Sequence, residues 1–388
     1  MPPDRADAIE ERLKQRLDKL ILSSNTTSAK FIAQELECIY NDRIRQLDQA
    51  SRDPTVLERR ADLILRFGDV QRLMRDYDGA LRYYAEALAL SAQSRTAVKV
   101  HLSIGDTHKE RGRWAEARSA FESGRLIARR IGWREGEADC VRGIGYILWR
   151  YGDFKKSLEA YEDALILQKA APEDMLKART YMEMANVYSE MHEYLRAKVL
   201  YEKALAIVDK SGDRAQQIRI FNNVGYLLTK LDDWDGAKRM YEKEIRMAKL
   251  IGDRKWEGWG YFNISECFSK TGEPQKALEY SDKSRRALEE AGDGIGIMKT
   301  YVSYGYAYGA MGDLARVREN FDKAIKMAEK NNMGSIVAYY NLEYAHTLAK
   351  VDKKLALTQA KKALRLYTKL QAPRYMEECD ALIASLAK

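Results

Sequence analysis

The chain has 388 residues with six prolines, four cysteines, 46% hydrophobic and 32% charged residues, and a formal net charge of +8. That balance excludes a disordered chain and a disulfide-stapled secreted fold, and no apolar run approaches the roughly 20 residues needed to cross a bilayer. Proline scarcity with abundant Ala, Leu, Glu, Lys and Arg predicts an all-helical protein, expected in the cytoplasm with its thiols reduced.

The N-terminal stretch MPPDRADAIEERLKQRL is charged from residue 4 onward, so no signal peptide is expected there. Residues 1–55 carry nine Lys and Arg against ten Asp and Glu. They read as two amphipathic helices, 5–22 and 28–49: Ile9, Leu13, Leu17 and Leu20 line the first, and Phe31, Ile32, Leu36, Ile39 and Tyr40 the second. This segment is expected either to cap the rest of the chain as a degenerate repeat or to act as a separate docking or dimerisation module.

From residue 56 to 372 the chain repeats itself. A small residue recurs at Gly68, Gly105, Gly145, Ala185, Gly225, Ser265, Gly305 and Ala345, with a first step of 37 residues and every later step of 40. A fixed period of this size marks a solenoid of stacked supersecondary units, each contacting its neighbours. Each unit reads as helix, turn, helix. In the third repeat Val141, Ile144 and Leu148 flank the notch at Gly145; the chain turns at Tyr151-Gly152-Asp153-Phe154, and Ser157, Tyr161 and Ala164 form the facing stripe. Gly132, Gly212, Gly252 and Gly292 fall where a left-handed C-cap favours glycine, followed by the candidate N-caps Asp213, Asp253 and Asp293. Three departures stand out. Glu244 replaces a small residue in the fifth repeat, Ser281 and Ser284 replace an aromatic and an alanine in the sixth, and the eighth repeat lacks one turn residue. Looser packing is therefore expected at the fifth-to-sixth and seventh-to-eighth junctions. Residues 373–388 read as a C-terminal capping helix, with Met376, Cys379, Ile383 and Leu386 on one stripe.

Gly at the first slot, Ala opening the second helix, an aromatic four residues later and Ala three further, as in NVGYLLTKLDDWDGAKRMYEKEI, resemble the tetratricopeptide repeat. The 40-residue spacing is similar to that of kinesin light chains, Pins/LGN-type polarity scaffolds, bacterial peptide-pheromone receptors and the helical sensor domains of large bacterial regulators. The resemblance implies an all-α right-handed superhelical α-solenoid of about eight repeats with helical caps, binding partners in its concave groove.

If each first helix packs inward through its small residue, positions six and three before it and one and four after it face the groove. From the third repeat onward that row holds Arg142, Tyr146, Trp149, Arg179, Asn186, Arg219, Asn222, Tyr226, Trp259, Phe262, Tyr306 and Tyr339, with Asn223 and Asn263 alongside. Aromatics and Arg concentrate at binding hot spots, amides pair with peptide backbone, and Arg favours carboxylates. These residues predict a peptide or protein ligand, acidic with apolar anchors, across repeats three to seven; the competing reading makes the aromatics inter-repeat core. A chaperone-type carboxylate clamp is excluded, because the Asn one after a small residue, Asn186, is matched by Met182 where a Lys belongs.

No catalytic set, metal site or cofactor motif emerges, so no enzyme activity and no cofactor are expected. His101 and His108 lack partner ligands, and GDGIG at 292–296 has no preceding strand. The predicted function is a protein-interaction scaffold or adaptor. The alternatives are a ligand-responsive regulator and, with less support from the scattered charge, a nucleic-acid-associated protein.

Overall fold

A computed structural model describes residue 32, residues 34–36, 38–42, 53–168 and 175–387. The expected first N-terminal helix at 5–22 and the side chain of Phe31 lie outside the described residues. Every regular element among the described residues is helical, and they divide into two compact units at the step from Asp213 to Arg214.

The first unit holds repeats one to four as hairpins of α1 (Pro54–Leu73) with α2 (Tyr77–Leu90), α3 (Arg95–Glu110) with α4 (Trp114–Arg130), α5 (Arg134–Arg150) with α6 (Phe154–Leu167), and α7 (Met175–Glu190) with α8 (Tyr194–Ser211). Ahead of them, Ile32, Leu36 and Tyr40 are buried against Phe67 and Val70 of α1. The second unit holds α9 (Arg214–Lys230) with α10 (Trp234–Ile251), α11 (Arg254–Lys270) with α12 (Pro274–Ala291), α13 (Gly294–Ala310) with α14 (Leu314–Lys330), and α15 (Gly334–Leu348) with α16 (Lys353–Lys369). The last helix, α17 (Pro373–Leu386), buries Cys379, Leu382 and Leu386.

The small-residue lattice works as a row of sockets. A Cβ built on Gly105 would lie 2.3 Å from the Phe121 ring, on Gly225 2.5 Å from Tyr241, and on Gly305 2.5 Å from Phe321. Each aromatic of a second helix therefore seats in the notch of its own first helix. Asp76, Asp153, Asp233 and Asp313 cap second helices by accepting from the backbone N–H three residues on, at 2.8–3.2 Å. Asp253 and Asp293 do the same for α11 and α13. The left-handed stops fall where expected, with φ of 69° to 72° at Gly132, Gly212 and Gly252 and 66° at Gly292. The shortened eighth turn, between Ala349 and Asp352, has no residue of positive φ.

The departures resolve differently from one another. In the sixth repeat, Ser265 in the small slot donates to or accepts from Ser281 (2.7 Å) and Ser303 (2.8 Å), and Ser284 lies 3.1 Å from Thr300. Hydroxyls thus fill the space an aromatic fills elsewhere. The seventh-to-eighth junction is the sparsest between successive helices of the second unit, as expected. The fifth-to-sixth junction is not loose. Glu244 is fully buried there, accepting from the Asn222 amide at 3.2 and 3.4 Å. The corresponding place in the next first helix is held by Cys140 opposite Gly124 in the first unit and by Thr300 opposite Ser284 in the second; at this junction it is Gly260, where an added Cβ would lie 2.5 Å from Ile245 of α10. A large residue on one side is matched by glycine on the other.

Candidate ligand-binding faces

Helix geometry sorts the predicted row before any contact is considered. At about 100° per residue, positions three before and four after the small residue lie roughly 40–60° from the packing face, and positions six before and one after lie roughly 100–120° from it. Burial follows those angles. Met182, Phe262, Val302 and Leu342, all three before the small residue, are buried. Phe262 is thus a correction: it is 6% exposed and packs edge-on against Trp259, with centroids 5.7 Å apart, and it offers no surface to a ligand. The longer helices of a 40-residue repeat spend this row on packing.

In the first unit the row is dominated by internal ion pairs. Arg142 reaches from α5 to Glu183 of α7 at 2.7 Å and to Asp139 at 3.1 Å, with 18% of its side chain exposed. It is therefore a committed cation, which corrects its assignment to a free basic row. Lys109 pairs with Asp106 at 2.7 Å, and its ammonium sits 4.8 Å from the Tyr146 ring centroid. Tyr146 packs edge-on to Trp149 at 5.4 Å and tilts against Trp114, while Arg150 lies over Trp114 and Trp149. Asn186 accepts from the Tyr201 hydroxyl at 2.5 Å. Arg179 is exposed and makes no ion pair among the described residues. Glu183 falls outside the predicted row; it lies two before the small residue, about 160° from the packing face. Replacing Glu183 by alanine should lower the stability of the first unit by about 1–3 kcal/mol, because the half-buried Arg142 keeps only Asp139. Urea unfolding of the variant against the parent chain measures this, and an unchanged midpoint would show the pair contributes nothing.

The second unit presents a more open, aromatic face. Tyr226 is 51% and Tyr339 42% exposed. Two half-buried aromatics between them are held in place: the Trp259 indole N–H donates to Asp293 at 3.0 Å, and the Tyr306 hydroxyl donates to Glu343 of α15 at 2.5 Å. Lys299 packs over Trp259 at 5.1 Å, and Lys230 over Tyr226 at 4.9 Å. Arg219 is exposed without an ion pair among the described residues, and Asn263 is half-buried with no hydrogen bond among them. Asn222 is engaged by Glu244, whereas Asn223 is half-buried. The carboxyl of Glu266 is raised to about 7 by burial, which outweighs the opposing pull of Lys299, Lys270 and Lys230. A side chain that takes up or releases its proton near neutrality thus sits among these aromatics. The described residues hold no group of three or more His, Cys, Asp or Glu able to bind a metal, and no helix long and apolar enough to cross a membrane.

Comparison with known proteins matches a family model described as tetratricopeptide repeat over residues 176–250 and 216–290, and a second model of the same description over residues 299–331. No curated protein of similar sequence is found. Among solved structures, the apo form of RapI superposes with a TM-score of 0.65 at 14% identity, covering 94% of this chain and 98% of that one. A Rap protein complexed with Competence and Sporulation Factor gives 0.60 at 15% identity, covering 93% and 99%. A signal-transduction ATPase with a tetratricopeptide-repeat sensor from Pyrococcus horikoshii gives 0.60 at 15% identity, covering 90% of this chain and 55% of that one. At these identities the likeness is one of fold.

Proposed function

Because this chain is a tetratricopeptide-repeat protein, we propose that it is an interaction module whose second unit holds a peptide or protein segment along its first-helix face. The observation that carries this reading is the aromatic row Tyr226, Trp259, Tyr306 and Tyr339. Two members are exposed and two are fixed by carboxylates, so ligand contact would cost little further ordering. Apolar anchors of the ligand would seat on those rings. Its backbone would find the unengaged Asn263 amide, and a carboxylate would find Arg219. The acidic preference therefore rests on Arg219 in this unit, since Arg142 is already neutralised.

The test uses exposed positions, where the fold tolerates change. The double variant Tyr226→Ala, Tyr339→Ala and the single variant Arg219→Glu should each cut recovery of native partners in a pulldown at least about tenfold, the loss expected on removing hot-spot contacts worth about 1.4 kcal/mol or more. Undiminished recovery by both would refute the assignment.

A second reading, a ligand-responsive regulator, is supported by the Tyr306–Glu343 and Trp259–Asp293 hydrogen bonds, which tie successive first helices together. A ligand that displaced them would favour a different helix spacing, and differential affinity for the two spacings is what a switch requires. Small-angle scattering with and without a bound peptide separates the readings: an unchanged radius of gyration favours the passive scaffold.

A further inference from the structure

Of the +8 net charge, +7 belongs to the second unit, where residues 214–388 hold 30 Lys and Arg against 23 Asp and Glu. The excess is concentrated on one helix. Between Lys353 and Lys369, α16 carries Lys353, Lys354, Lys361, Lys362, Arg365 and Lys369 and no carboxylate. All six are exposed, and none makes an ion pair among the described residues. At about 100° per residue, Lys354, Lys361, Lys362, Arg365 and Lys369 fall within a single face about 100° wide and about 22 Å long, with Thr358 in its centre. The opposite face buries Ala356, Ala360, Ala363 and Tyr367.

The repeat lattice supplies an internal control. At the corresponding positions of α12 and α14 the same face is neutralised by carboxylates: Glu279 pairs with Lys283 at 2.6 Å, Arg285 with Glu289 at 2.8 Å, and Glu319 with Lys323 at 2.6 Å. Where those helices carry Glu279, Asp282 and Glu289, or Glu319, Asp322 and Glu329, α16 carries Thr358, Lys361 and Thr368. The fold and its solubility are thus served by mixed charge at these positions, and the eighth repeat lacks all three acids. Like charges three and four residues apart repel, and Lys353 and Lys354 stand in the first turn, against the helix dipole. The stripe is locally unfavourable and asks for an anionic counterpart.

We propose that the exposed face of α16 docks an acidic segment of a partner protein, separately from the first-helix face. The stripe is mainly lysine, a strongly hydrated point charge suited to carboxylates held along a chain. It carries no aromatic platform on which bases would stack. Carboxylates three to four residues apart on a partner helix, or on an extended acidic strand, would lie alongside it with roughly 6 Å between successive charges.

The experiment measures anisotropy of a fluorescent twelve-residue oligoglutamate peptide against the full chain and against its Lys361→Glu, Arg365→Glu variant. Both changes are at exposed helical positions, and circular dichroism checks that the helix content is kept. The expected result is binding that weakens at least about tenfold between 50 and 300 mM salt, as screening shortens the range of the charges, and at least about tenfold in the variant. Lys326→Glu, at an exposed position of α14, should leave this binding intact, which separates the stripe from the general basic charge of the chain. Peptide binding indifferent to the α16 variant, or a stripe that prefers duplex DNA, single-stranded RNA or anionic phosphatidylserine vesicles over the peptide, would overturn the proposal.

Discussion

Replacing Glu244 by glutamine should make the second unit markedly more stable at pH 8 and leave it unchanged at pH 4. Glu244 is wholly buried with one polar partner, the Asn222 amide, and no cation among the described residues opposes its desolvation. Burial raises its carboxyl to about 8, from an ordinary value of 4.5. The folded state therefore holds a proton that the unfolded state releases. Stability from this group is fully present below about 4.5 and is lost as pH rises through 8, which amounts to about 4–5 kcal/mol over that interval. Glutamine keeps an acceptor for Asn222 and cannot ionise. Urea unfolding at pH 4, 6 and 8 should show the parent chain weakening steadily while the variant weakens far less. The residual slope should come partly from Glu266, which is shifted in the same direction. Equal slopes in parent and variant would mean that Glu244 is already ionised or already hydrated in the folded chain.

Enlarging Gly225 beyond alanine should sharply destabilise the fifth repeat. Its missing Cβ is the seat of the Tyr241 ring, 2.5 Å from where that carbon would stand. The slot is not closed to every side chain, because Ala185 occupies it in the fourth repeat opposite Tyr201. Alanine at 225 should therefore cost about 1 kcal/mol or less, its gain in helix propensity offsetting part of the ring's displacement. Leucine should cost about 3 kcal/mol or more, since neither helix can retreat without losing the hairpin contact. The double variant Gly225→Leu, Tyr241→Ala should recover a large part of that loss by clearing the volume the leucine needs. If the double variant is no better than the sum of its singles, ring and notch do not interact as described.

The contrast between these two positions shows what is legible in the sequence. The notch at Gly225 is readable because a small residue recurs eight times and in six of the repeats an aromatic follows sixteen residues later, so periodicity alone places both in one hairpin. Glu244 is visible as a departure, but its consequence is not. Whether an acid at that slot loosens the junction depends on the Asn222 amide that engages it and on Gly260 of the following repeat, which seats the neighbouring Ile245, and neither adjacency follows from a one-dimensional pattern. The candidate site divides along the same line. Tyr226 and Tyr339 are readable as exposed aromatics because one face of a helix is fixed by its period. Phe262, three before the small residue, falls on the packing side by the same period, whereas the engagement of Arg142 is not readable, because its partner stands on the neighbouring first helix. That helix supplies the carboxylate of Glu183 in the case of Arg142.

The complementary seams carry a consequence for how the chain can be rearranged. Within a hairpin, lock and key recur: small residue below, aromatic above. Between hairpins they do not. Gly124 faces Cys140, Ser284 faces Thr300 through a hydroxyl pair, and Gly260 leaves room for Ile245. A hairpin moved to another place in the array would keep its own interior and bring the wrong edge to its new neighbour, setting Ile245 against a side chain where it now meets glycine. The order of the repeats is thus written into their edges, and an array that looks like one motif copied eight times is a sequence of parts that fit in a single succession.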